Sequence, residues 1–347
     1  LYYPCFSYPK TSLSILEQEN PPYGECFSCQ INDNGSSIVA AYSNGYINIF
    51  SIADKNKRAT TFKASDTPIT CVKWNKNLKT TFLSAASDGT ICHWHSSTGK
   101  ILHQLKENGN HLNCLDYTND YRKFASGGSD VIIRVYDEGM KTKITEMKPL
   151  KFEEPGHTSR IFTVKFNPEN SNMLISGGWD KTIQIYDVRQ SQICSSIFGP
   201  QICGDSLDID GSYILSGSWG IEKQISIYDL RMLKQICSVK WENGSDYYNT
   251  YIYSAKFDAI KEGGKLFAVG GVNQNLFRLF DMNGFNSMLL NNLEEGETIP
   301  NMPYPLFGPK EMNSACYSLD FYKLGTKREY MACGCGDGGV RLYTIEK

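Results

Sequence analysis

An alternation of apolar and polar residues, interrupted by a short polar turn, recurs along the chain. It is clearest in three segments that align without a gap: SAASDGTICHWH (84–95), SGGSDVIIRVYD (126–137) and SGGWDKTIQIYD (176–187). In each, small residues lead to an Asp, and an apolar alternation then ends on a large aromatic ring. Alternation with a period of two is typical of a half-buried strand, and Asp favours tight turns. Each segment therefore predicts two antiparallel strands joined by a turn.

Four weaker copies of this pattern lie at 40–51, 216–229, 270–281 and 333–344. The copy at 216–229 carries two extra residues in its turn, which has no Asp. All seven copies end their alternation on an aromatic residue, in chain order Phe50, Trp94, Tyr136, Tyr186, Tyr228, Phe280 and Tyr343. Repetition on this scale decides the fold, because each unit must bury its apolar face against its neighbours.

A second signature, apolar-x-x-apolar-x-apolar, lies upstream of the copies. It is best seen at 161–166 and recurs at 69–74 and 112–117. The signature predicts one further strand in each unit, and a less regular stretch such as KILHQLKE (100–107) supplies a fourth. Four strands in about 40–45 residues is the period of a propeller blade.

With these repeats the chain resembles the WD40 family, and the resemblance covers nearly all of it. It implies an all-β fold, a seven-bladed β-propeller of four-stranded antiparallel blades in a single domain over 1–347, with blades closing at the seven aromatic residues named above. Because the last unit ends after its third strand, we expect the N-terminal segment 11–17 to close the ring as the missing strand. The stretch 284–312, with four prolines between 300 and 309, is expected to be a long inserted loop.

One unit keeps the Gly-His pair of the WD40 family, at Gly156 and His157. The resemblance implies a buried structural chain of hydrogen bonds through His157, Ser176, Asp180 and Tyr186. The other units lack this His, and Ser65 and Asn108 occupy its place in the second and third units. We therefore expect the fourth blade to be held by polar contacts that its neighbours lack.

Composition suggests a cellular setting and excludes some partners. The chain has 347 residues, 12 cysteines and a formal net charge of −2, and no apolar run approaches a membrane span. We expect no direct nucleic-acid binding and no membrane insertion. Most cysteines fall within strand patterns, so we interpret them as free thiols in an intracellular compartment, the cytoplasm first, with cytoskeletal, ciliary or nuclear locations left open. Because the first residue is Leu, we expect the chain to belong to something longer.

Motifs that imitate catalytic or metal-binding sites fit a structural role better. Cys26 and Cys29 form a CxxC pair, but positions i and i+3 of a strand face opposite sides, and no second pair follows. The run GCGDGG (334–339) lies in a strand–turn–strand register and does not open a helix, as a dinucleotide fingerprint would. No phosphate loop, nucleophile elbow or HExxH motif occurs. We expect no catalytic residue, no metal and no cofactor.

Two sets of residues predict a partner-binding surface. Trp179 and Trp219 precede the turn in neighbouring units, where they would lie on one rim of the propeller. In the WD40 family, the residue after the opening apolar position of each unit points to the channel mouth. Here these residues are Phe27, Thr70, Asn113, Phe162, Asp205, Tyr253 and Tyr317. The opposing interpretation is that the tryptophans fold against their own loops and the other rings plug the channel.

The four rings and the Asp205 carboxylate of the second set would suit a receptor for a cation, with Arg160 close to Phe162 in the same unit. Aromatic faces attract guanidinium and ammonium groups. WD40 proteins that recognise arginine-containing tails hold the guanidinium between two rings at equivalent places. The resemblance therefore favours, as one alternative, a reader of an arginine- or lysine-containing peptide.

Arg189 and Arg231 follow matching Tyr-Asp pairs at the ends of two successive repeats. Paired Asp-x-Arg motifs of this kind resemble those of WD40 substrate receptors of cullin-4 ubiquitin ligases, in which the Arg contacts an adaptor. The competing interpretation is that each Arg steadies its own turn or is solvated.

The function that the sequence favours is a non-enzymatic scaffold or adaptor for protein–protein interactions in an intracellular multiprotein assembly. Its partners would be other proteins or peptides, whose identity the sequence does not give. The ligase receptor and the peptide reader stay open. An architectural subunit predicts partners on several faces, a reader predicts an open channel mouth, and a receptor predicts two exposed arginines on one edge.

Overall fold

The structure is a computed structural model. It describes residues 10–16, 24–54, 59–148, 156–220, 223–239, 241, 250–258, 266–272, 277–282, 303–308, 314–324 and 328–346. Every regular element in these ranges is a β-strand, and the strands form seven four-stranded antiparallel sheets. Each sheet is one blade of a β-propeller, so the predicted fold class is confirmed.

Blades one to four use their strands in chain order. Blade one consists of β2 (Cys26–Ile31), β3 (Ser37–Tyr42), β4 (Tyr46–Ser51) and β5 (Thr60–Lys63). Blade two consists of β6 (Ile69–Trp74), β7 (Thr81–Ala86), β8 (Thr90–His95) and β9 (Lys100–Lys106). Blade three consists of β10 (Leu112–Tyr117), β11 (Lys123–Gly128), β12 (Ile133–Asp137) and β13 (Lys143–Met147). Blade four consists of β14 (Ile161–Asn167), β15 (Asn170–Gly178), β16 (Thr182–Asp187) and β17 (Gln192–Phe198).

The last three blades follow the same order, except that blade seven takes its outer strand from the N-terminal part of the chain. Blade five consists of β18 (Leu207–Asp210), β19 (Tyr213–Gly217), β20 (Ile225–Asp229) and β21 (Lys234–Val239). Blade six consists of β22 (Tyr251–Phe257), β23 (Leu266–Val272), β24 (Phe277–Asp281) and β25 (Tyr304–Phe307). Blade seven consists of β26 (Cys316–Leu324), β27 (Arg328–Cys335), β28 (Val340–Glu346) and β1 (Lys10–Leu16).

The pairing of β1 with β28 closes the ring. The two strands run antiparallel, from Lys10 opposite Glu346 to Leu16 opposite Val340. This confirms that the N-terminal segment supplies the outer strand of the last blade. Without it, β28 would present a row of unpaired backbone groups at the rim.

The first strands of the blades surround a central channel. Each contacts the first strand of the next blade, in the cyclic order β2, β6, β10, β14, β18, β22, β26 and back to β2. The apolar core lies in layers between neighbouring blades. For example, Ile133 and Val135 of blade three pack in one cluster with Ile161 and Val164 of blade four.

The segment 284–312, expected to be a long loop, contributes a strand. Residues Tyr304–Phe307 form β25, which pairs with β24 as the outer strand of blade six. Leu306 is partly buried and packs against the core shared by blades five to seven. The prolines in this stretch hid the strand, although an edge strand tolerates Pro because one of its sides needs no ladder bonds. The rest of the segment lies outside the described residues, apart from 303 and 308.

Candidate partner-binding site at the channel mouth

A β-bulge at one shared position in six of the first strands sets the direction of a side chain. In blade four the bulge falls between Ile161 and Thr163, so Phe162 is the extra residue. The six bulged residues are Phe27, Thr70, Asn113, Phe162, Tyr253 and Tyr317. A bulge bends the strand and turns its extra residue out of the normal alternation. We call this end of the channel, which also carries the turns at Trp179 and Trp219, the top face, and the opposite end the bottom face.

Aromatic rings from five blades form a continuous chain on the top face. Successive ring centroids are 5.9 Å apart for Phe162–Trp179, 6.3 Å for Trp179–Trp219, 5.9 Å for Trp219–Tyr253, 4.9 Å for Tyr253–Tyr317 and 5.7 Å for Tyr317–Phe27. Tyr251 stacks on Trp219 at 5.0 Å. Centroid distances of this size are those of favourable ring pairs. We call these seven rings the aromatic arc.

The rings of the arc pack against the protein and remain partly exposed to solvent. Trp179 is 37% exposed, and the other six rings are partly buried. Backbone bonds fix the two tryptophans, since the Trp179 N–H donates to the Arg160 carbonyl and the Trp219 N–H to the Gln201 carbonyl. The rings therefore pack against one another and still present a fixed aromatic surface to solvent.

Asp205 has its charge satisfied within the chain. Its carboxylate lies 2.6 Å from Lys165 Nζ and 3.9 Å from Lys73 Nζ, and it accepts a hydrogen bond from the Thr163 hydroxyl at 3.1 Å. Burial alone would raise its pKa, but these lysines hold the pKa of Asp205 well below its usual value. Asp205 is therefore not a free carboxylate for a bound cation.

Two exposed charges stand at the ends of the arc. Glu25 precedes β2, and its carboxylate adds to burial in raising the pKa of Tyr317. It also contributes, after burial, to the raised pKa of Tyr253. Arg160 precedes β14 beside Phe162 and is exposed. Neither side chain forms an ion pair with another described residue.

The polar residues expected in blade four lie within hydrogen-bonding distance of one another. His157 Nδ1 is 2.9 Å from Asp180 Oδ2, and His157 Nε2 is 2.6 Å from the Ser176 hydroxyl. Burial raises the pKa of Tyr186, and its hydrogen bond with Ser176 opposes this rise. Asp180 also accepts the Thr158 N–H, which ties the loop before β14 to the turn after β15.

Comparison with known proteins finds the same repeats. The family model of the WD domain, G-beta repeat, matches residues 56–95 and 148–187, the units that end in Trp94 and Tyr186.

Two repeats of the chain match the WD40 repeat family.

The proteins that this chain resembles differ widely in what they are named for. A ribosome biogenesis protein WDR12 homolog of Drosophila persimilis is 22% identical over 97% of this chain and 78% of its own length. The WDR12 homolog of Oryza sativa subsp. japonica is 29% identical over 40% of this chain and 30% of its own length. The APC/C activator protein CDH1 of Saccharomyces cerevisiae is 24% identical over 59% of this chain and 35% of its own length. The alignments thus span only about a third of the rice and yeast proteins.

A belt of alternating charge lines the channel. In each blade, the belt residue follows the mouth residue by three positions in the sequence. Its members, in blade order, are Gln30, Lys73, Asp116, Lys165, Asp208, Lys256 and Asp320. All seven line one cavity of about 330 Å³, together with residues of the turns on the bottom face. From blade two to blade seven, the belt residue is alternately a lysine and an aspartate.

The acceptors of the belt tie each of their blades to the next. The Phe257 N–H of blade six donates to Asp208 Oδ2 of blade five at 2.9 Å. Equivalent bonds join Phe166 to Asp116, Ile31 to Asp320 and Trp74 to Gln30. Each of these bonds satisfies a backbone donor that the first strand leaves free on its channel side.

Two lysines of the belt, Lys73 and Lys256, lie close to carboxylates. Lys73 Nζ is 3.8 Å from Asp116, and Lys256 Nζ is 3.8 Å from Asp208. Burial opposes the charge of both lysines, but nearby carboxylates outweigh it and raise their pKa, Asp205 most for Lys73 and Asp208 most for Lys256. The belt is therefore a set of mutually compensating charges.

The sequence analysis missed the belt, although the signal was present. The position before the last apolar residue of the apolar-x-x-apolar-x-apolar signature is Lys165 in one unit, and Lys73 and Asp116 in two others. Within one unit, such a charge is indistinguishable from a solvent-facing strand residue. Only alignment of this position across all units, including the irregular fifth, displays the alternation.

On the bottom face, both Asp-x-Arg arginines pair with their own blades. Arg189 Nη2 lies 2.8 Å from Asp187 Oδ2, and Arg231 Nη2 lies 3.1 Å from Asp229 Oδ2. The arginine side chains remain 67% and 61% exposed. The Arg189 hydrogen bond lowers the pKa of Asp187. Burial opposes a lower pKa in Asp229, but the hydrogen bonds from the Arg231 side chain and from the backbone N–H groups of Arg231 and Met232 together lower it. The pairing matches the local interpretation, in which each Arg steadies its own turn.

Blade three contains a second buried polar network that the sequence analysis did not predict. Glu107 is buried and accepts hydrogen bonds from the Ser126 hydroxyl at 2.5 Å and the Tyr136 hydroxyl at 2.8 Å. Arg134 and Asn110 donate to its other oxygen at 2.9 Å and 2.8 Å. Glu107, and not Asn108 as the sequence alignment predicted, thus occupies the place that His157 has in blade four. A buried polar chain is therefore not a property of blade four alone.

The described residues contain no group of three or more His, Cys, Asp or Glu side chains able to hold a metal ion. Cys26 and Cys29 are buried free thiols, and burial raises the pKa of both. A thiol held in its protonated form is a poor metal ligand and a poor nucleophile. In the same described part of the chain, no helix has the length and apolar character needed to cross a bilayer.

Proposed function

We propose that the protein is a non-enzymatic scaffold or adaptor that holds partner proteins in an intracellular multiprotein assembly, with the aromatic arc as a docking surface. The observation that carries the proposal is the arc itself, seven rings linked by successive contacts across five blades at one end of the channel. The WD40 fold is generally non-enzymatic, and relatives of this chain are named as an APC/C activator, a U5 small nuclear ribonucleoprotein component and ribosome biogenesis proteins.

The arc exposes aromatic surface that the described part of the chain leaves partly uncovered. Trp and Tyr rings bury a large area when a partner covers them, and they lose little side-chain entropy because neighbouring rings already hold them. Interface residues of this type carry much of the binding free energy in measured complexes. A rigid aromatic surface on a stable ring is therefore a suitable docking site.

Affinity purification from native cells, followed by mass spectrometry, tests the proposal. The variant Trp219→Ala removes the ring at the centre of the arc, which contacts Trp179, Tyr251 and Tyr253. Phe198→Ala is the matched control, because Phe198 is 79% exposed on the outer strand of blade four and lies outside the arc. We expect Trp219→Ala to lose partners that Phe198→Ala retains. Equal recovery with both variants, at equal melting temperatures, would refute the arc as a docking surface.

The two alternative functions fare differently. For the peptide reader, the rings are in place, but the carboxylate expected to receive the cation is bound to Lys165. For the ligase receptor, Arg189 and Arg231 are exposed, but each is already paired with an aspartate of its own turn. The scaffold needs neither a free Asp205 nor free arginines, so it remains the better-supported function.

A further inference from the structure

The aromatic arc is electrically asymmetric. The position two residues before the mouth residue is occupied, in blade order, by Glu25, Pro68, His111, Arg160, Cys203, Tyr251 and Ala315. Only Glu25 and Arg160 of this set are carboxylate or guanidinium groups. The arc begins in blade four beside Arg160 and ends in blade one beside Glu25, so an opposite charge stands at each end.

Glu25 and Arg160 occupy equivalent backbone positions. The Glu25 carbonyl accepts the Ser43 N–H, as the Arg160 carbonyl accepts the Trp179 N–H. Both backbones are therefore anchored to the turn of their own blade on the top face, while both side chains are exposed. Among the described residues neither forms an ion pair. The backbone of each residue is thus fixed in place, and its charged side chain is exposed to a partner.

The sector of the mouth outside the arc is already satisfied. In blade two the Thr70 hydroxyl donates to the Leu112 carbonyl at 2.9 Å, and in blade three the Asn113 amide donates to the Ile161 carbonyl at 2.7 Å. Below the mouth, Asp205 is held by Lys165, and the charged residues that line the channel pair with one another. A partner that binds through the exposed rings and charges would therefore lie along the arc and not enter the channel.

From this charge complementarity we propose that the arc binds an extended segment of a partner protein with a defined polarity. The segment carries a basic residue at the Glu25 end, an acidic residue at the Arg160 end, and aromatic or proline residues over Trp179 and Trp219 between them. At the basic end, the rings of Phe27 and Tyr317 add a cation–π attraction to the Glu25 charge. Since the five ring-to-ring steps are each 4.9–6.3 Å, an extended chain spans the arc with about eight residues or fewer. This inference rests on the proposed function.

Fluorescence-labelled synthetic peptides of about ten residues test the polarity. Each has a Pro-Tyr-rich centre flanked by Arg at one end and Glu at the other, in both chain directions, and companion peptides carry Glu or Gln at both ends. Binding is measured by fluorescence polarisation at low and at physiological salt. We expect wild type to bind one Arg/Glu peptide about tenfold more tightly than the Gln/Gln peptide, the sum of one exposed ion pair and one cation–π contact.

Charge reversal supplies the decisive comparison. Glu25→Arg should weaken the Arg/Glu peptide about tenfold and strengthen the Glu/Glu peptide, because the new guanidinium attracts the residue that wild type repels. His111→Glu is the matched control, since it changes the charge at the equivalent position outside the arc, and it should leave the ranking of peptides unchanged.

Three outcomes overturn the inference. They are an unchanged peptide ranking in Glu25→Arg, the same change in His111→Glu, and no binding of any peptide to wild type. These outcomes are separable from failure of the proposed function. If Trp219→Ala loses cellular partners while Glu25→Arg and Arg160→Glu keep them, the docking surface stands and its proposed polarity is wrong.

Discussion

The mouth and the belt of the channel are built on the same seven first strands, three residues apart, with opposite chemistry. At the mouth, Phe162 and Tyr253 contact other rings and face solvent. At the belt, Lys165 and Lys256 each lie within ion-pair distance of a carboxylate of blade five. The belt side chains are thus paired within the chain, whereas the aromatic side chains at the mouth are left partly exposed to solvent.

This difference separates groups that hold the propeller together from groups available to a partner. Each acceptor in the belt accepts a hydrogen bond from a backbone N–H of the next blade. Removal of a belt aspartate would therefore leave a buried N–H without an acceptor and a buried lysine without its counter-charge, and both effects destabilise the fold. Among the described residues, the mouth rings form no side-chain hydrogen bond with the backbone of a neighbouring blade. Truncation of a mouth ring should therefore cost binding, whereas truncation of a belt residue should cost stability.

The largest expected effect is on the belt. Asp208→Ala removes the acceptor of the Phe257 N–H and the carboxylate nearest to Lys256. We expect the free energy of unfolding to fall by about 3–5 kcal/mol, measured by urea denaturation. Asp208→Asn keeps an acceptor and loses only the charge, so its loss should be smaller. A change below about 1 kcal/mol in Asp208→Ala would show that the belt does not hold the blades.

The next effect concerns the mouth. Trp179→Ala removes the most exposed ring of the arc, and hot-spot aromatic residues contribute about 2 kcal/mol or more to binding. We expect partner affinity to fall about 30-fold, measured by titration of a partner recovered by purification. The free energy of unfolding should change by less than about 1 kcal/mol. Loss of stability without loss of affinity would reverse the assignment of mouth and belt.

The sequence predicted the fold because every blade repeats the same alternation. Strand period, turn position and the terminal aromatic ring agree in seven units, and agreement between units compensates for weak single motifs. The strand at Tyr304–Phe307 was missed because its prolines favour a loop. The network of Glu107 was missed because a Glu in place of the family His breaks the motif and keeps the hydrogen bonding.

The site was less predictable than the fold, for a physical reason. Register placed Phe27 and Tyr317 at one rim, and the structure brings their rings to 5.7 Å. Register could not tell that Asp205 lies against Lys165, because the two residues are 40 positions apart and come from different blades. Contacts across blades depend on side-chain length and direction, which a repeat alignment does not contain.

A smaller effect should appear in the pH dependence of stability. Asp205 has a mouth position but is bound to the belt lysines, and its pKa in the folded state is depressed. Its stabilisation is present above the unfolded value of about 3.9 and is lost as the pH falls from there toward the folded value. Asp205→Asn should therefore be less stable than wild type at neutral pH and lose less stability below pH of about 4. Trp179→Ala keeps every belt charge and should follow the wild-type slope, which thermal melts at several pH values would check.

The smallest effect on stability is expected at the bottom face, where Arg189 and Arg231 are self-paired, as in the belt, and exposed, as at the mouth. Exposed ion pairs contribute little, so Arg189→Lys with Arg231→Lys should change the Tm by no more than about 2 °C. If self-pairing marks these arginines as structural, the double variant should also recover every partner that wild type recovers. If their exposure instead makes these arginines available for binding, a partner surface could compete with Asp187 and Asp229 for the guanidinium groups. The lysine substitutions would then keep the charge but lose the paired N–H geometry of the guanidinium group. Loss of one specific adaptor protein from purifications of the double variant, with an unchanged melt, would therefore favour the ligase-receptor alternative and show that internal pairing does not by itself remove a residue from a binding surface.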